Sequence, residues 1–371
     1  MKIVYFSSSI LPSQAANSVN VVNMAEALAE CGHDVYLIHE PGPTASDREI
    51  FSSYGLRGRF SLCPVRRPGL RYIGLLLYSL AGFVRYIRGS RAALVYSRDY
   101  LGALFAALAG YRTVFELHSM PDSRLTKCVF DLLLRCTRLS ALVTISAALR
   151  DDVISRYPGL ESRVLVAHDA ANEHIDVMPF ALGGGDALRV GYVGGLYQGK
   201  GVEVAVELAR RMPSIEVHVV GGDGALLAVW RRNTASLTNL TFHGYRPHSE
   251  IASYIAAFDI VLLPNQRVVH IFGSKTDIAR WTSPLKMFEY MAAGKPIISS
   301  DLPVLREVLE HERNCLLCPS DNIQSWVDAI LRLQLDVVLR RRLAEKAKDD
   351  FRAKYSWSVR AESILRSLAI E

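Results

Sequence analysis

No stretch of this 371-residue chain is apolar enough to cross a bilayer. The apolar run Tyr72–Val84 has thirteen residues without a charge, short of the roughly 20 that a spanning helix needs. The loop after the first strand-like run, Ser7-Ser8-Ser9-Ile10-Leu11-Pro12-Ser13-Gln14, has no glycine, which excludes the GxGxxG turn of a dinucleotide-binding dehydrogenase. Cysteine is sparse, and the six residues (Cys31, Cys63, Cys128, Cys136, Cys315, Cys318) fit a reduced protein. Cys315 and Cys318 have CxxC spacing, but no second ligand pair stands at metal spacing. Met1 leads straight into Lys2-Ile3-Val4-Tyr5-Phe6 without the pattern of a secretory leader. The expected location is cytoplasmic, with peripheral attachment to the inner face of the membrane as the alternative.

Acidic residues are absent between Ile50 and Arg98, where nine arginines run from Arg57 to Arg98. The net charge of +6 is modest and the basic stretch carries no nucleic-acid motif, so nucleic acid is not an expected partner. The apolar Tyr72–Val84 segment inside it has two readings. One is a helix docked in the interface of an anionic membrane; the other is a buried helix of an α/β layer with arginines at its solvated ends.

Half the residues are apolar and 22% charged, so the chain folds, and its length suits two domains. Lys2–Ser7 and Arg189–Gly195 are both apolar strands running into a loop and then a helix. Further strands are expected at 34–39, 93–97, 112–117, 141–145 and 163–167, and again at 215–221, 239–243, 259–263, 296–299 and 314–318. Alternation with helical patterns argues for parallel sheets wrapped by helices. The turn-rich 178–186 separates domains 1–180 and 187–371, and helical patterns over 322–369 close the second. The expected architecture is two doubly wound α/β domains with a cleft between them.

Glycine returns in Gly194-Gly195-Leu196-Tyr197-Gln198-Gly199-Lys200-Gly201, but no Ser or Thr follows Lys200, so this is not a P-loop. The most informative stretch is Ser283–Pro296. It reads as a short helix with Ser283 as N-cap, Pro284 at the first helical position, and Gly294 and Pro296 closing it. Lys286 in its first turn opposes the helix dipole at a cost of about 0.3–1 kcal/mol. That placement makes sense if an anion binds there. Glu289, three residues on, lies on the same face and suits the hydroxyls of a sugar diol. Phosphate at the helix start and hydroxyls one turn later is the layout of a nucleotide-sugar site. The alternative is a packing helix carrying a Lys286/Glu289 surface pair worth roughly 0.2–0.5 kcal/mol.

These residues resemble the GT-B type retaining glycosyltransferases of family 4 (glycosyl transferase group 1). The likeness runs through Gly194–Gly201, Ser283–Asp301 and Leu302-Pro303-Val304-Leu305-Arg306-Glu307. The N-terminal half adds Ala16–Asn20, Glu116-Leu117-His118 and Val143–Ser146. It implies two Rossmann-like domains facing a central cleft, an N-terminal one for acceptor and a C-terminal one for donor. It also implies that Lys200 contacts the donor diphosphate, Glu289 binds the ribose, and His118 faces the transferred sugar. The sequence departs from the family at Gly195, where an arginine is usual, and at Trp281, where a first glutamate is usual. Thr282-Ser283-Pro284 replaces glycines, and Gln14–Ser18 replaces an N-terminal glycine-rich loop.

The expected donor-binding set is Gly194, Gly195, Lys200, Ser283, Lys286 and Glu289, with His118, Lys200 and Lys286 as the catalytic groups and Lys286 supplying charge lost at 195. No Asp-x-Asp motif occurs, so neither metal nor another cofactor is expected. The reaction implied is transfer of a sugar from a nucleoside-diphosphate sugar to a lipid-linked or membrane-presented acceptor hydroxyl, with retention, in surface polysaccharide or glycolipid assembly. Two other readings stay open: a nucleotide-sugar epimerase, for which only His118 and Asp122 offer acid/base groups, and an inactive, membrane-docked binding subunit.

Overall fold

The computed structural model describes residues 1–43, 46–69, 71–174, 176–183, 185–269 and 277–369. Its first sheet comprises β1 (Lys2–Leu11), β2 (Asp34–Pro41), β3 (Ser61–Pro64), β4 (Leu94–Ser97), β5 (Thr113–Leu117), β6 (Leu139–Thr144) and β7 (Val164–Val166). All pairings are parallel, in the order β3-β2-β1-β4-β5-β6-β7. A second parallel sheet is built from β8 (Leu188–Val193), β9 (Ile215–Val220), β10 (Leu240–Gly244), β11 (Ile260–Leu263), β12 (Ile297–Ser300) and β13 (Leu316–Cys318), in the order β10-β9-β8-β11-β12-β13.

Central strands such as Ile3–Phe6 and Ile260–Leu263 are apolar at every position and fully buried, because helices cover both faces of a parallel sheet. Alternate residues of β8, β9 and β11 serve two separate cores. Val190, Tyr192, Val217 and Ile260 point into one; Val193, Val220, Val261 and Leu263 point into the other with Phe288. The winding reverses between β1 and β4 and between β8 and β11. At such a switch point, loops leave the carboxyl ends of neighbouring strands in opposite directions and open a crevice for ligands.

The expected strands are present, with one addition. The edge strand β3 has only four residues and ends at Pro64, too short and too interrupted to show a period. The domain boundary also differs from the 180/187 expectation. One compact unit comprises Met1–Asp169 and Trp357–Glu371, the other Ala170–Ser356. The last helix, Trp357–Ser367, therefore belongs to the first unit and does not close the second. Its buried Arg360 pairs with Glu116 at 3.0 Å and donates to the His168 carbonyl at 2.8 Å; a buried guanidinium goes where its counter-ion is. The linker packs on the second unit: the Phe180 N–H donates to the Ser253 carbonyl at 2.9 Å and its ring stacks on Tyr254, centroids 4.1 Å apart. Gly184 of that linker lies outside the described residues.

Candidate active site

β8 ends at Gly194, whose φ of +149° is a conformation side chains rarely adopt. A Cβ there would stand 3.2 Å from the Tyr192 hydroxyl and 3.6 Å from the Lys286 Nζ, so the amine lies against this stretch of backbone. The Tyr192 hydroxyl donates to the Gly195 carbonyl at 2.7 Å, with the Lys200 carbonyl 3.3 Å away, folding the loop back over the strand end. At Gly201 (φ +81°) a Cβ would come within 1.8 Å of the Pro264 carbonyl oxygen. The loops after β8 and β11, on the two sides of the switch point, are thus in direct contact. A Cβ at 195 would meet the Tyr197 ring at 2.5 Å, so a side chain there requires Tyr197 to move.

The helix beside this loop spans Leu285–Ala292, one residue later than expected. Pro284 occupies the cap position with φ −75° and ψ 122° and gives no side-chain cap bond. Ser283 is therefore not the N-cap; it sits buried just outside the helix. The extended ψ of Pro284 delays the first turn, which closes when the Met287 N–H reaches the Pro284 carbonyl at 2.9 Å. The Tyr290 hydroxyl accepts the Val193 N–H at 2.9 Å and fixes the helix to β8.

Lys286 is 8% exposed, so it is not half of a surface pair. Its Nζ lies 4.3 Å from the Tyr192 ring centroid and has no hydrogen-bond partner among the described residues. Burial pushes this amine well below its ordinary range; the nearby Lys200 charge pushes the same way, and only Glu289 opposes. Burial also depresses Lys200, whose Nζ stands 5.3 Å from the Tyr197 ring centroid. Two desolvated amines, neither of them ion-paired to a carboxylate among the described residues, form a site that an anion would complete.

One oxygen of Glu289 is already engaged. Its Oε1 lies 2.8 Å from the His248 Nε2, at the start of the helix His248–Ala256. His174 also feels both groups: burial and His248 depress it while Glu289 raises it. Nothing in the sequence marks His248, 41 residues away, as the partner. Glu289→Ala is expected to weaken nucleotide binding by roughly 10-fold or more, the size of a lost hydrogen bond to a charged group, with little change in melting temperature. A variant that melts many degrees lower yet binds nucleotide normally would make Glu289 a structural residue.

His118 lies in the first unit, one residue beyond β5. Its Nε2 is 2.6 Å from Glu116 Oε1. Glu116 is fully buried and also receives the Tyr96 hydroxyl and Arg360, with the Arg98 Nε 4.0 Å away. Burial pushes its carboxyl up, but Arg360, His118 and Arg98 together hold it well below the carboxylate range. An ionised Glu116 only accepts, so Nε2 carries the proton. Burial and Arg98 lower the His118 pKa against the pull of Glu116, and the neutral ring then keeps its lone pair on Nδ1. Arg98 Nη1 donates to Asn20 Oδ1 at 2.7 Å, and Asn20 Nδ2 to Asp169 Oδ1 at 2.6 Å. Glu116, His118 and Asp169 bring ligand atoms within 4.8 Å of one another. Two guanidiniums already neutralise the cluster, so it fits an ion-pair network better than a cation.

The two units with parallel sheets, each wound in the order of a mononucleotide-binding fold, define a two-unit α/β protein of the GT-B architecture. A family model described as glycosyl transferases group 1 matches residues 187–336, and one described as glycosyltransferase family 4 matches 18–172. The chain belongs to this glycosyltransferase family. A D-inositol 3-phosphate glycosyltransferase of Mycobacteroides abscessus is 26% identical over 225 residues, 59% of this chain and 46% of the relative. The amylovoran biosynthesis glycosyltransferase AmsK of Erwinia amylovora is 30% identical over 162 residues, 41% and 38% of the two chains. The chain spans about half the length of the curated relatives it matches. Among solved structures, Anabaena HepE in complex with UDP superposes with a TM-score of 0.74 at 15% identity, covering 100% of both chains. Sucrose-phosphate synthase of Thermosynechococcus elongatus gives 0.74 at 17% identity, covering 99% of this chain and 98% of that one.

Proposed function

We propose that the protein transfers a sugar from a nucleoside-diphosphate sugar to an acceptor hydroxyl, with retention at the anomeric carbon and without a metal. The observation that carries this reading is the unpartnered, buried Lys286 amine against the Gly194 backbone, with Lys200 nearby. The diphosphate would lie between the two amines and the first turn of the Leu285–Ala292 helix, and the ribose would meet Glu289. Lys286 takes over the charge that the family's arginine supplies where this chain has Gly195. No carboxylate stands as an evident nucleophile, which favours front-face displacement. The carbon–oxygen bond to the diphosphate breaks as the acceptor oxygen bonds the anomeric carbon on the same face. The leaving diphosphate takes the acceptor proton, and the two lysines stabilise its growing charge.

Relatives named for polysaccharide, inositol and glycolipid synthesis, and a structural neighbour solved with UDP-glucose, support a nucleotide-sugar donor and a lipid-linked or membrane-presented acceptor. Trp281 and Gly195, in place of a glutamate and an arginine, favour a second reading in which the protein binds without turning over. Melting curves with UDP, GDP, ADP and CMP and their common sugars separate these readings when followed by a turnover assay. The right nucleotide at 100 times its dissociation constant adds about 2.7 kcal/mol of stability. Absence of any shift overturns the donor site, and a shift without sugar transfer leaves the binding-only reading.

Turnover is expected to survive EDTA, since ammonium groups and helix N–H groups take the place of a cation. An absolute requirement for Mg²⁺ or Mn²⁺ would overturn the metal-free mechanism.

A further inference from the structure

The helix Arg71–Gly82 and the π-turn that follows it, Phe83–Ile87, carry apolar residues on two faces, of which the core takes only one. On the side against the sheet Tyr78 and Ile87 are fully buried with Val4, Phe6, Ile38 and Val95, and Leu75 and Phe83 pack against that core. Gly82 leaves no room for a side chain against the sheet, where a Cβ would meet the Phe6 ring at 2.7 Å, and Gly74 leaves none against the preceding loop, where a Cβ would meet the Pro68 carbonyl at 2.3 Å. The Tyr78 hydroxyl donates to the Ser7 carbonyl and the Ser79 hydroxyl to Asp99 at 2.8 Å. The opposite face carries Ile73, Leu76, Leu77, Leu80 and Val84, spaced by 3, 1, 3 and 4 residues and each 39–57% exposed. That spacing is one continuous helical stripe, and a contiguous exposed apolar patch on a folded unit marks an interaction surface.

Charge identifies what covers it. Arg66, Arg85, Arg88 and Arg91, which flank the stripe in sequence, are exposed, and none has an ion-pair partner among the described residues. Arg85 and Arg88 also line a cavity of about 470 Å³ with Lys2, Tyr36 and Ser61, at the amino ends of β1 and β3. Ligands of doubly wound sheets bind at the opposite, carboxyl ends, so this basic cavity is separate from the donor site. A second copy of the chain would bring the same uncompensated cations face to face across a two-fold axis.

We propose that this face docks the protein on an anionic lipid bilayer. The Ile73–Val84 stripe enters the boundary between headgroups and acyl chains, and the arginines and the Lys2/Arg85/Arg88 cavity take lipid phosphates. An apolar helix face flanked by basic residues binds an interface in this way. The proposal supports a membrane-presented acceptor but does not depend on the donor reading, because vesicle binding is measured with no nucleotide present.

The test is flotation with mixed phosphatidylglycerol/phosphatidylcholine vesicles and with pure phosphatidylcholine vesicles. The protein is expected to float with the anionic vesicles only, and less so at high salt. Arg85→Gln/Arg88→Gln should lower partitioning by roughly 25-fold, about fivefold for each arginine near the surface. Leu76→Ser/Leu80→Ser should lower it by about 10-fold or more, and a Trp placed by Leu77→Trp should shift its emission to the blue on anionic vesicles alone. The arginine variant keeps the proposal testable should the leucine variant fail to fold. Binding that is absent, equal on both vesicle types, or unchanged in the variants overturns the proposal. So does a concentration-dependent dimer that Leu76→Ser/Leu80→Ser dissolves.

Discussion

Lys286→Met is expected to cut turnover by about 100-fold or more, the usual cost of removing one electrostatic contact to a developing charge. The same change should make the ligand-free protein more stable, by about 1 kcal/mol or roughly 2–4 °C for a unit of this size. The two effects have opposite signs because the amine is desolvated and unpartnered when the site is empty and compensated only when an anion is bound. The pH dependence follows. Burial holds the amine well below its ordinary 10.5, so the folded chain binds this proton less tightly than the unfolded one. The penalty is complete below the folded pKa and is relieved as pH rises toward 10.5. A bound diphosphate favours the protonated amine, so donor binding takes up a proton and weakens as pH rises through that interval. Melting temperature without ligand, initial rate with donor, and calorimetry in buffers of different ionisation enthalpy check all three. A variant less stable than wild type and fully active would remove Lys286 from the site.

Arg360→Met should destabilise the protein by about 3–5 kcal/mol, the cost of leaving one partner of a buried pair uncompensated. Glu116 remains, fully buried, with Arg98 4.0 Å away as its remaining cation. Removing the stranded charge as well, in Glu116→Gln/Arg360→Met, should restore most of the loss. Because the Glu116 carboxyl is held well below the ordinary 4.5, its contribution is present above that value and is lost as pH falls through the folded pKa. In Arg360→Met this loss moves to higher pH. Denaturant unfolding across the acid limb measures it, and wild-type stability in Arg360→Met would show that the network holds nothing. His118 supplies a readout that packing alone would not move. Glu116 raises the His118 pKa, so Glu116→Gln should lower it further and release the tautomer, which nitrogen shifts of the ring report directly.

Much of this was legible in the chain. Apolar runs alternating with helical periods give two parallel sheets, because strands covered on both faces have no polar positions to spare. Lys286 stood out from the sequence because a cation in the first turn of a helix is unfavourable without an anion. Its burial and lack of a partner in the structure make that anomaly sharper. Other readings needed the third dimension. The cap slid from Ser283 to Pro284, within the tolerance of any boundary read from composition.

The sequence by itself determined the secondary elements, their α/β class, and the residue types at the candidate donor site, since periodicity and helix-end chemistry are local properties. Only the tertiary structure decided which distant groups meet. Arg360 finds Glu116 across most of the chain, His248 takes one oxygen of Glu289, and the last helix joins the first unit. The same holds for the Ile73–Val84 stripe. Its period announces a helix with an apolar face, but a period carries no information about which face the core takes. Leu75, Tyr78, Phe83 and Ile87 took the core side, with Gly82 closing on the Phe6 ring, and that choice left Leu76, Leu77 and Leu80 in water.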